Sequence, residues 1–134
     1  MRSVDTNVVV RLLVRDDEAQ TRLADQTWDE LVASGGVFLS KVALVEVAWV
    51  VRVSYGFDRA TIAEALRRLV DLDGVVVEHE PALRRALDRF ERGAAAFADY
   101  FILESSREAG ALPVLTFDPR FARETDVRMI APKR

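Results

Sequence analysis

The chain has 134 residues, of which 50% are hydrophobic and 31% are charged, and this composition excludes an intrinsically disordered polypeptide. The absence of cysteine excludes disulfides and thiolate metal sites, and a net charge of −3 argues against a protein that coats nucleic acid through a basic surface. The length suits a single domain over residues 1–134. We expect a soluble, cytoplasmic protein without membrane association, because no apolar run is long enough to span a bilayer.

Short runs rich in β-branched residues alternate with amphipathic segments along the whole chain. Apolar residues at helical spacing fill the segments between these runs. This alternation predicts an α/β fold, a three-layer α/β/α sandwich with a mainly parallel sheet of about five strands. The predicted strands are Arg2–Asp5, Val37–Ser40, Val75–Glu78, Pro113–Phe117 and Val127–Ile130.

Two acids in the first half of the chain stand out by their position. Asp5 ends the first predicted strand, where it is suited either to cap the following helix or to hold a cation. Glu46 lies inside a predicted helix, and its neighbours one turn away include Val42, Trp49 and Val50. We therefore expect Glu46 on a largely apolar face, where an ionised carboxylate needs a cation or an arginine from elsewhere in the chain.

Two further acids follow in the second half. Asp99 begins the helical segment "DYFILESSREAG", and Asp118 follows the "PVLTF" strand; either residue is also suited to cap a helix, with Pro119 in the first turn after Asp118. We expect all four acids at one edge of the sheet, where each close pair of carboxylates repels by roughly 4 kcal/mol. Such a cluster must take up protons or bind a cation, and oxygen ligands without cysteine favour Mg²⁺ or Mn²⁺ over Zn²⁺.

The segments that carry these acids also resemble a known family. The stretches are "VDTNV" at 4–8, the mid-helix Glu46, "ADYFILESSREAG" at 98–110 and "LTFDPRF" at 115–121. In this order and at these separations they resemble the PIN-domain nucleases, in particular the VapC-type toxins of bacterial toxin–antitoxin pairs. The likeness runs over essentially the whole chain.

The resemblance implies a metal-dependent endoribonuclease that forms a homodimer and is inhibited by a small cognate antitoxin. It assigns Asp5, Glu46 and Asp99 to the family's core metal-binding acids. Asp118 matches the fourth, more variable acid. The resemblance thus implies catalytic and metal-binding roles for all four acids.

Polar and basic residues near the acids form a second group. By the same resemblance, Thr6 and Asn7 organise the turn of the first acid, and Thr116 supplies a hydroxyl beside the fourth. An acidic pocket that receives RNA also needs basic residues around it. The candidates for RNA binding are Arg11, Arg15, Arg120 and Arg123, each of which is alternatively a solvated surface residue.

These observations lead to a mechanistic hypothesis. One or two Mg²⁺ ions, with Mn²⁺ as a substitute, would lower the pKa of a water that attacks an RNA phosphodiester in line, leaving 5′-phosphate and 3′-hydroxyl ends. Two alternatives remain open, a PIN-type nuclease that processes RNA or cuts DNA without being a toxin, and a non-catalytic binding module with a structural ion. A phosphohydrolase of the haloacid-dehalogenase type is disfavoured, because Asn7 replaces the second acid of its "DxD" motif.

Overall fold

The computed structural model of the chain describes residues 1–132 and contains two compact units, with the boundary between Glu80 and Pro81. A single domain over residues 1–134 therefore stays a prediction. None of the helices among residues 1–132 has the length and apolar character needed to span a bilayer.

The first unit alternates short strands with longer helices. Its elements are β1 (Arg2–Ser3), α1 (Thr6–Leu13), α2 (Glu18–Ala33), β2 (Val37–Leu39), α3 (Lys41–Val53), α4 (Arg59–Asp71) and β3 (Val75–Val77). The strands form a parallel sheet in the order β1-β2-β3, in which Val37 is paired with Arg2 on one side and with Val75 on the other. Two helices connect each strand to the next, as parallel pairing requires a crossover connection.

The second unit contains the remaining elements. These are α5 (Glu80–Arg92), α6 (Phe97–Glu108), β4 (Val114–Thr116), the 3₁₀ helix η1 (Phe121–Arg123) and β5 (Val127–Met129). Strands β4 and β5 pair in parallel, with Val114 beside Val127.

The α/β class and the parallel pairing of strands are confirmed. All five predicted strands are present, and each ends one or two residues earlier than predicted. They form a three-stranded and a two-stranded sheet, in place of one sheet of about five strands. Strands β1 and β2 end early because Asp5 and Ser40 act as helix N-caps instead of continuing the strand.

Side-chain caps begin four helices of the first unit. The side-chain oxygens of Asp5, Asp17, Ser40 and Asp58 each accept a hydrogen bond from the backbone N–H three residues further on, at 2.8 to 3.2 Å. The capping interpretation of Asp5 is thus confirmed. A cap of this type stabilises a helix by about 1 kcal/mol.

A buried carboxylate, Glu104 of α6, joins α6 to α5. Its side chain is only 1% exposed, and its oxygens lie 3.0, 2.7 and 3.5 Å from the Nε atoms of Arg85, Arg89 and Arg107. Arg107 also pairs with Asp126 at 2.8 Å. The three guanidinium groups compensate a charge that would otherwise be strongly disfavoured in the interior.

Replacement of this carboxylate should destabilise the protein far more than replacement of an exposed one. We expect Glu104→Gln to lower the free energy of unfolding by about 3 kcal/mol, because it leaves three arginines without their shared anion. The matched control is Glu18→Gln, since Glu18 is 92% exposed and 3.6 Å from Arg22; its effect should stay within about 0.5 kcal/mol. Urea denaturation measures the change in the free energy of unfolding for both variants. Equal changes would contradict the role of Glu104 as a buried anion that three arginines share.

Candidate active site

Helix α3 presents Glu46 to solvent. The buried residues of this helix are Ala43, Leu44, Val47, Ala48 and Val51. Val42 and Trp49, which flank Glu46, are 60% and 64% exposed. Glu46 thus lies beside apolar residues, as expected, but this face is exposed, so the implied burial that would require a cation or an arginine beside the carboxylate is wrong. Helix α3 is apolar almost all round, so the 3.6-residue period did not reveal which face packs inward.

Asp5 and Glu46 lie at the same surface depression in the first unit. Thr6, the first residue of α1, donates from its Oγ1 to Glu46 Oε2 at 2.9 Å. Asp5 Oδ1 accepts from the N–H of Val8 at 3.2 Å. The depression has a volume of about 660 Å³ and is lined by residues 3–7, Ser40, Val42, Ala43, Glu46 and Val50. The first unit thus brings together two of the predicted acids with Thr6 and Asn7.

Asp99 is the third residue of α6 and is partly buried. Its Oδ2 accepts from the backbone N–H of Ala96 at 3.2 Å. The N-cap position belongs to Ala96, whose methyl group cannot accept a hydrogen bond, and Asp99 folds back onto that residue instead. The alternative that Asp99 is itself the N-cap is wrong, although its side chain still orders the start of the helix.

Asp118 lies in the exposed turn between β4 and η1. Its Oδ1 accepts from the N–H of Arg120 at 2.9 Å, and its own N–H donates to Thr116 Oγ1 at 3.0 Å. Thr116 therefore holds the turn that carries Asp118. The predicted cap of a regular helix with Pro119 in its first turn is wrong, because the segment forms only the short η1 helix, and Asp118 closes a local turn instead.

Asp99 and Asp118 influence each other electrostatically. Burial raises the pKa of the Asp99 carboxyl, the hydrogen bond from Ala96 opposes this rise, and the negative charge of Asp118 adds to it. The ionised form of Asp99 is thus disfavoured by its surroundings. A proton or a cation beside this pair would relieve the disfavoured charge.

Each of the four acids uses one carboxylate oxygen locally and leaves the other without a partner. Within its own unit, among residues 1–132, no donor reaches Asp5 Oδ2, Glu46 Oε1, Asp99 Oδ1 or Asp118 Oδ2. Among residues 1–132, no arginine or lysine of the same unit pairs with any of them, in contrast to Glu104. An arginine partner therefore does not account for Glu46 within the first unit.

The donor chemistry fits a hard divalent cation, since every available ligand atom is a carboxylate oxygen. The acids nevertheless occur in pairs within each unit. Among residues 1–132, neither unit contains three or more acidic or histidine side chains close enough together to hold a metal ion. The residues that would hold a cation are thus Asp5 with Glu46 in the first unit and Asp99 with Asp118 in the second.

The four candidate RNA-binding arginines differ in their environments. Arg11 pairs with Asp16 at 2.8 Å and donates to the Tyr55 hydroxyl at 2.6 Å, and Arg15 makes two hydrogen bonds to Asp25. In the described part of the second unit, the exposed side chains of Arg120 and Arg123 have no ion-pair partner. Ion pairs near the surface contribute only 0 to about 1 kcal/mol to stability. Arg11 and Arg15 could therefore leave their carboxylate partners and bind phosphate at a small cost.

Both units are α/β in character and have parallel strands, and each contains a pair of acids, Asp5 with Glu46 and Asp99 with Asp118. The chain belongs to the PIN domain family, whose model matches residues 3–125, a range that contains all four acids. The resemblance to PIN-domain proteins noted from the sequence is confirmed.

Two relatives extend this comparison. The chain is 23% identical over 124 residues to a VapC ribonuclease from Aquifex aeolicus (strain VF5), covering 92% of this chain and 91% of that protein. A crystal structure of VapC20 from Mycobacterium tuberculosis, described as a sarcin-ricin loop cleaving toxin, is 23% identical with a TM-score of 0.42. That comparison covers 92% of this chain and 94% of the other.

Neutralising Asp99 should stabilise the protein at neutral pH. The raised pKa means that the folded state binds a proton at Asp99 more tightly than the unfolded state does. The protonated carboxyl therefore stabilises the fold at low pH, and this stabilisation is lost as the pH rises from the usual carboxyl range through the raised pKa. Because the carboxyl is only partly buried and solvent screens its charge, we expect Asp99→Asn to increase the free energy of unfolding at pH 7 by at most about 0.5 kcal/mol. The gain should shrink below pH 4, where the acid is protonated in both states.

Thermal unfolding followed by circular dichroism at several pH values measures this effect. The asparagine retains an oxygen that accepts from Ala96, so the local hydrogen bond is preserved. Asp73→Asn, at an exposed position of the first unit, is the matched control and should change little. A loss of stability in Asp99→Asn at pH 7 would contradict the electrostatic interpretation.

Proposed function

We propose that the chain is a Mg²⁺-dependent endoribonuclease in which Asp5, Glu46, Asp99 and Asp118 are the metal-binding and catalytic acids. The observation that carries this proposal is shared by all four residues. One carboxylate oxygen is fixed by a hydrogen bond, and the other has no partner in the part of its unit that the structure describes. Membership of the PIN domain family and the likeness to a protein named VapC ribonuclease support it.

Local contacts orient these acids before any ligand arrives. Thr6 directs Glu46, the Val8 amide holds Asp5, and Ala96 holds Asp99. Such preorganisation lowers the cost of arranging charged groups around a reacting phosphate. When bound, Mg²⁺ (or Mn²⁺ as a substitute) neutralises phosphate charge and lowers the pKa of water. Because the acids hold the cation, no histidine general base is required.

We further propose that the protein is the toxin of a VapBC-type pair, cytoplasmic, homodimeric and inhibited by a small cognate antitoxin. The support is the name of the Aquifex relative and the near-complete coverage of both chains. A nuclease of the same family that processes RNA or cuts DNA is the second candidate. Growth arrest on induced expression, relieved by a small protein encoded next to the gene, distinguishes the toxin from that candidate.

Substitution of the acids should abolish cleavage without unfolding the protein. We expect Asp5→Asn, Glu46→Gln and Asp99→Asn each to reduce kcat at least about 100-fold, because each removes a negative ligand for the cation. Asp118→Asn should cause a smaller loss, since this acid is exposed in a turn. Sequencing of RNA ends should reveal 5′-phosphate and 3′-hydroxyl groups.

The control for these variants is Asp73→Asn, which should cleave as the unaltered protein does. Excess EDTA should stop cleavage, and added Mg²⁺ should restore it. Cleavage that persists in EDTA would refute the metal-dependent mechanism. Unchanged growth arrest in Asp5→Asn would instead favour a non-catalytic binding module with a structural ion.

Arg120 and Arg123 are the stronger candidates for RNA binding, because they lie just beyond Asp118 and have no ion-pair partner in the described part of their unit. We expect the double variant Arg120→Ala/Arg123→Ala to raise KM several-fold with little change in kcat. The logarithm of the RNA-binding constant falls with the logarithm of the salt concentration, and the loss of two phosphate contacts should make this slope shallower by about 1.4.

Binding of single-stranded RNA at several salt concentrations tests this expectation. Arg68→Ala is the control, since Arg68 is an exposed arginine paired with Glu64 on α4. An unchanged salt slope in the double variant would remove these two arginines from the RNA-binding surface. A double alanine variant of Arg11 and Arg15 measures the contribution of the two ion-paired candidates in the same way.

A further inference from the structure

Tyr100 follows Asp99 directly and is completely buried in the second unit. Its hydroxyl donates to Glu124 Oε1 at 2.7 Å and accepts from the backbone N–H of Ala95 at 3.3 Å. One side chain thus joins the loop before α6, α6 itself and the segment that follows η1. Burial and the hydrogen bond to Glu124 raise the pKa of Tyr100, so the hydroxyl remains a donor at neutral pH.

The same side chain contacts both ends of η1. The ring of Tyr100 packs edge-on against Phe121, the first residue of η1, with 6.3 Å between ring centroids. Glu124 lies at the other end, where its backbone N–H donates to the carbonyl of Phe121 at 3.0 Å. Asp118 lies three residues before η1, and its carbonyl accepts from the N–H of Ala122 at 3.0 Å. The position of η1 therefore fixes the position of Asp118.

Two features indicate that the hydroxyl, and not only the ring, is required here. Three aromatic neighbours in the core of this unit, Phe90, Phe97 and Phe101, pack edge-on in succession without a polar group. Gly93 leaves the space that the hydroxyl occupies, since a Cβ at that position would overlap the Tyr100 oxygen. A phenylalanine would fill the same ring site and remove both hydrogen bonds of the hydroxyl, the one donated to Glu124 and the one accepted from the Ala95 amide.

We propose that Tyr100 and Glu124 are positioning residues that hold Asp118 beside Asp99 by anchoring η1 to the start of α6. This inference rests on the proposed function, because the anchor, the contact of Tyr100 with Glu124, matters for activity only if Asp99 and Asp118 bind one cation together. Asp118 is exposed, and in the described part of its unit its hydrogen bonds are those of its own turn, so we take its location to follow that of η1. Neither Tyr100 nor Glu124 touches the reacting atoms.

Tyr100→Phe tests the anchor, with Glu124→Gln as the conservative variant, because glutamine retains an oxygen that accepts from the tyrosine. Phe97→Leu is the control for a loss of stability in the core of this unit without loss of the anchor. Hydrogen exchange of the backbone amides of residues 120–124, in metal-free protein, reports the anchor itself. Mn²⁺ binding measured by electron paramagnetic resonance, and kcat with KM for RNA, report its consequence.

We expect Tyr100→Phe to accelerate exchange in residues 120–124 at least about tenfold while α5 keeps its protection. Mn²⁺ affinity and kcat should fall about tenfold with KM unchanged, and Glu124→Gln should remain near the unaltered protein in all three readouts. Phe97→Leu should lower the melting temperature without weakening Mn²⁺ binding. This pattern separates positioning of a ligand from a general loss of stability.

Two different results would overturn the inference. Exchange in Tyr100→Phe equal to that in the unaltered protein would show that the hydroxyl does not anchor η1. Faster exchange with unchanged Mn²⁺ affinity and kcat would show that the anchor does not serve the acids. If the unaltered protein neither bound Mn²⁺ nor cleaved RNA, the proposed function would fail, and with it the role of the anchor in positioning Asp118 as a ligand. Hydrogen exchange would still decide whether Tyr100 anchors η1.

Discussion

The arrangement of the candidate site depends on one constraint, the fixing of each acid through a single carboxylate oxygen by a nearby donor. The donor is a backbone N–H for Asp5, Asp99 and Asp118 and the Thr6 hydroxyl for Glu46. A helix start or a tight turn must satisfy its free N–H groups in any case. Asp5, Asp99 and Asp118 each accept from such an N–H group with one oxygen. Their second oxygens have no partner in the described part of the same unit. Capping and ligand binding are therefore compatible interpretations of the same residue.

Much of the fold followed from the sequence because its signals are local. β-Branched runs located all five strands. The strand ends were placed too late, because Asp5 and Ser40 serve the next helix and the local pattern does not assign a boundary residue to one element. The division into a three-stranded and a two-stranded sheet depends on pairing between distant segments, which periodicity does not encode.

The site was predicted unevenly for the same reason. The acids were found because charged residues interrupt apolar runs, but the exposure of the face that carries Glu46 was missed, since α3 is apolar on nearly every face. Tyr100 gave no signal of its role, as a tyrosine in an apolar helix resembles any core aromatic. Its partner Glu124 is 24 residues away, and only tertiary structure brings the two together.

The close approach of Gly93 and Tyr100 links two positions that are seven residues apart. A side chain at 93 and a phenolic oxygen at 100 compete for one volume, so a chain can carry either but not both without moving the backbone. Across diverging PIN domains of this architecture, substitution at the two positions should therefore be correlated. A tyrosine should accompany glycine, and larger residues should enter at 93 only where the aromatic ring at 100 has been lost or the backbone has moved, because the ring carbon Cζ also lies 2.6 Å from the Cβ position of a residue at 93.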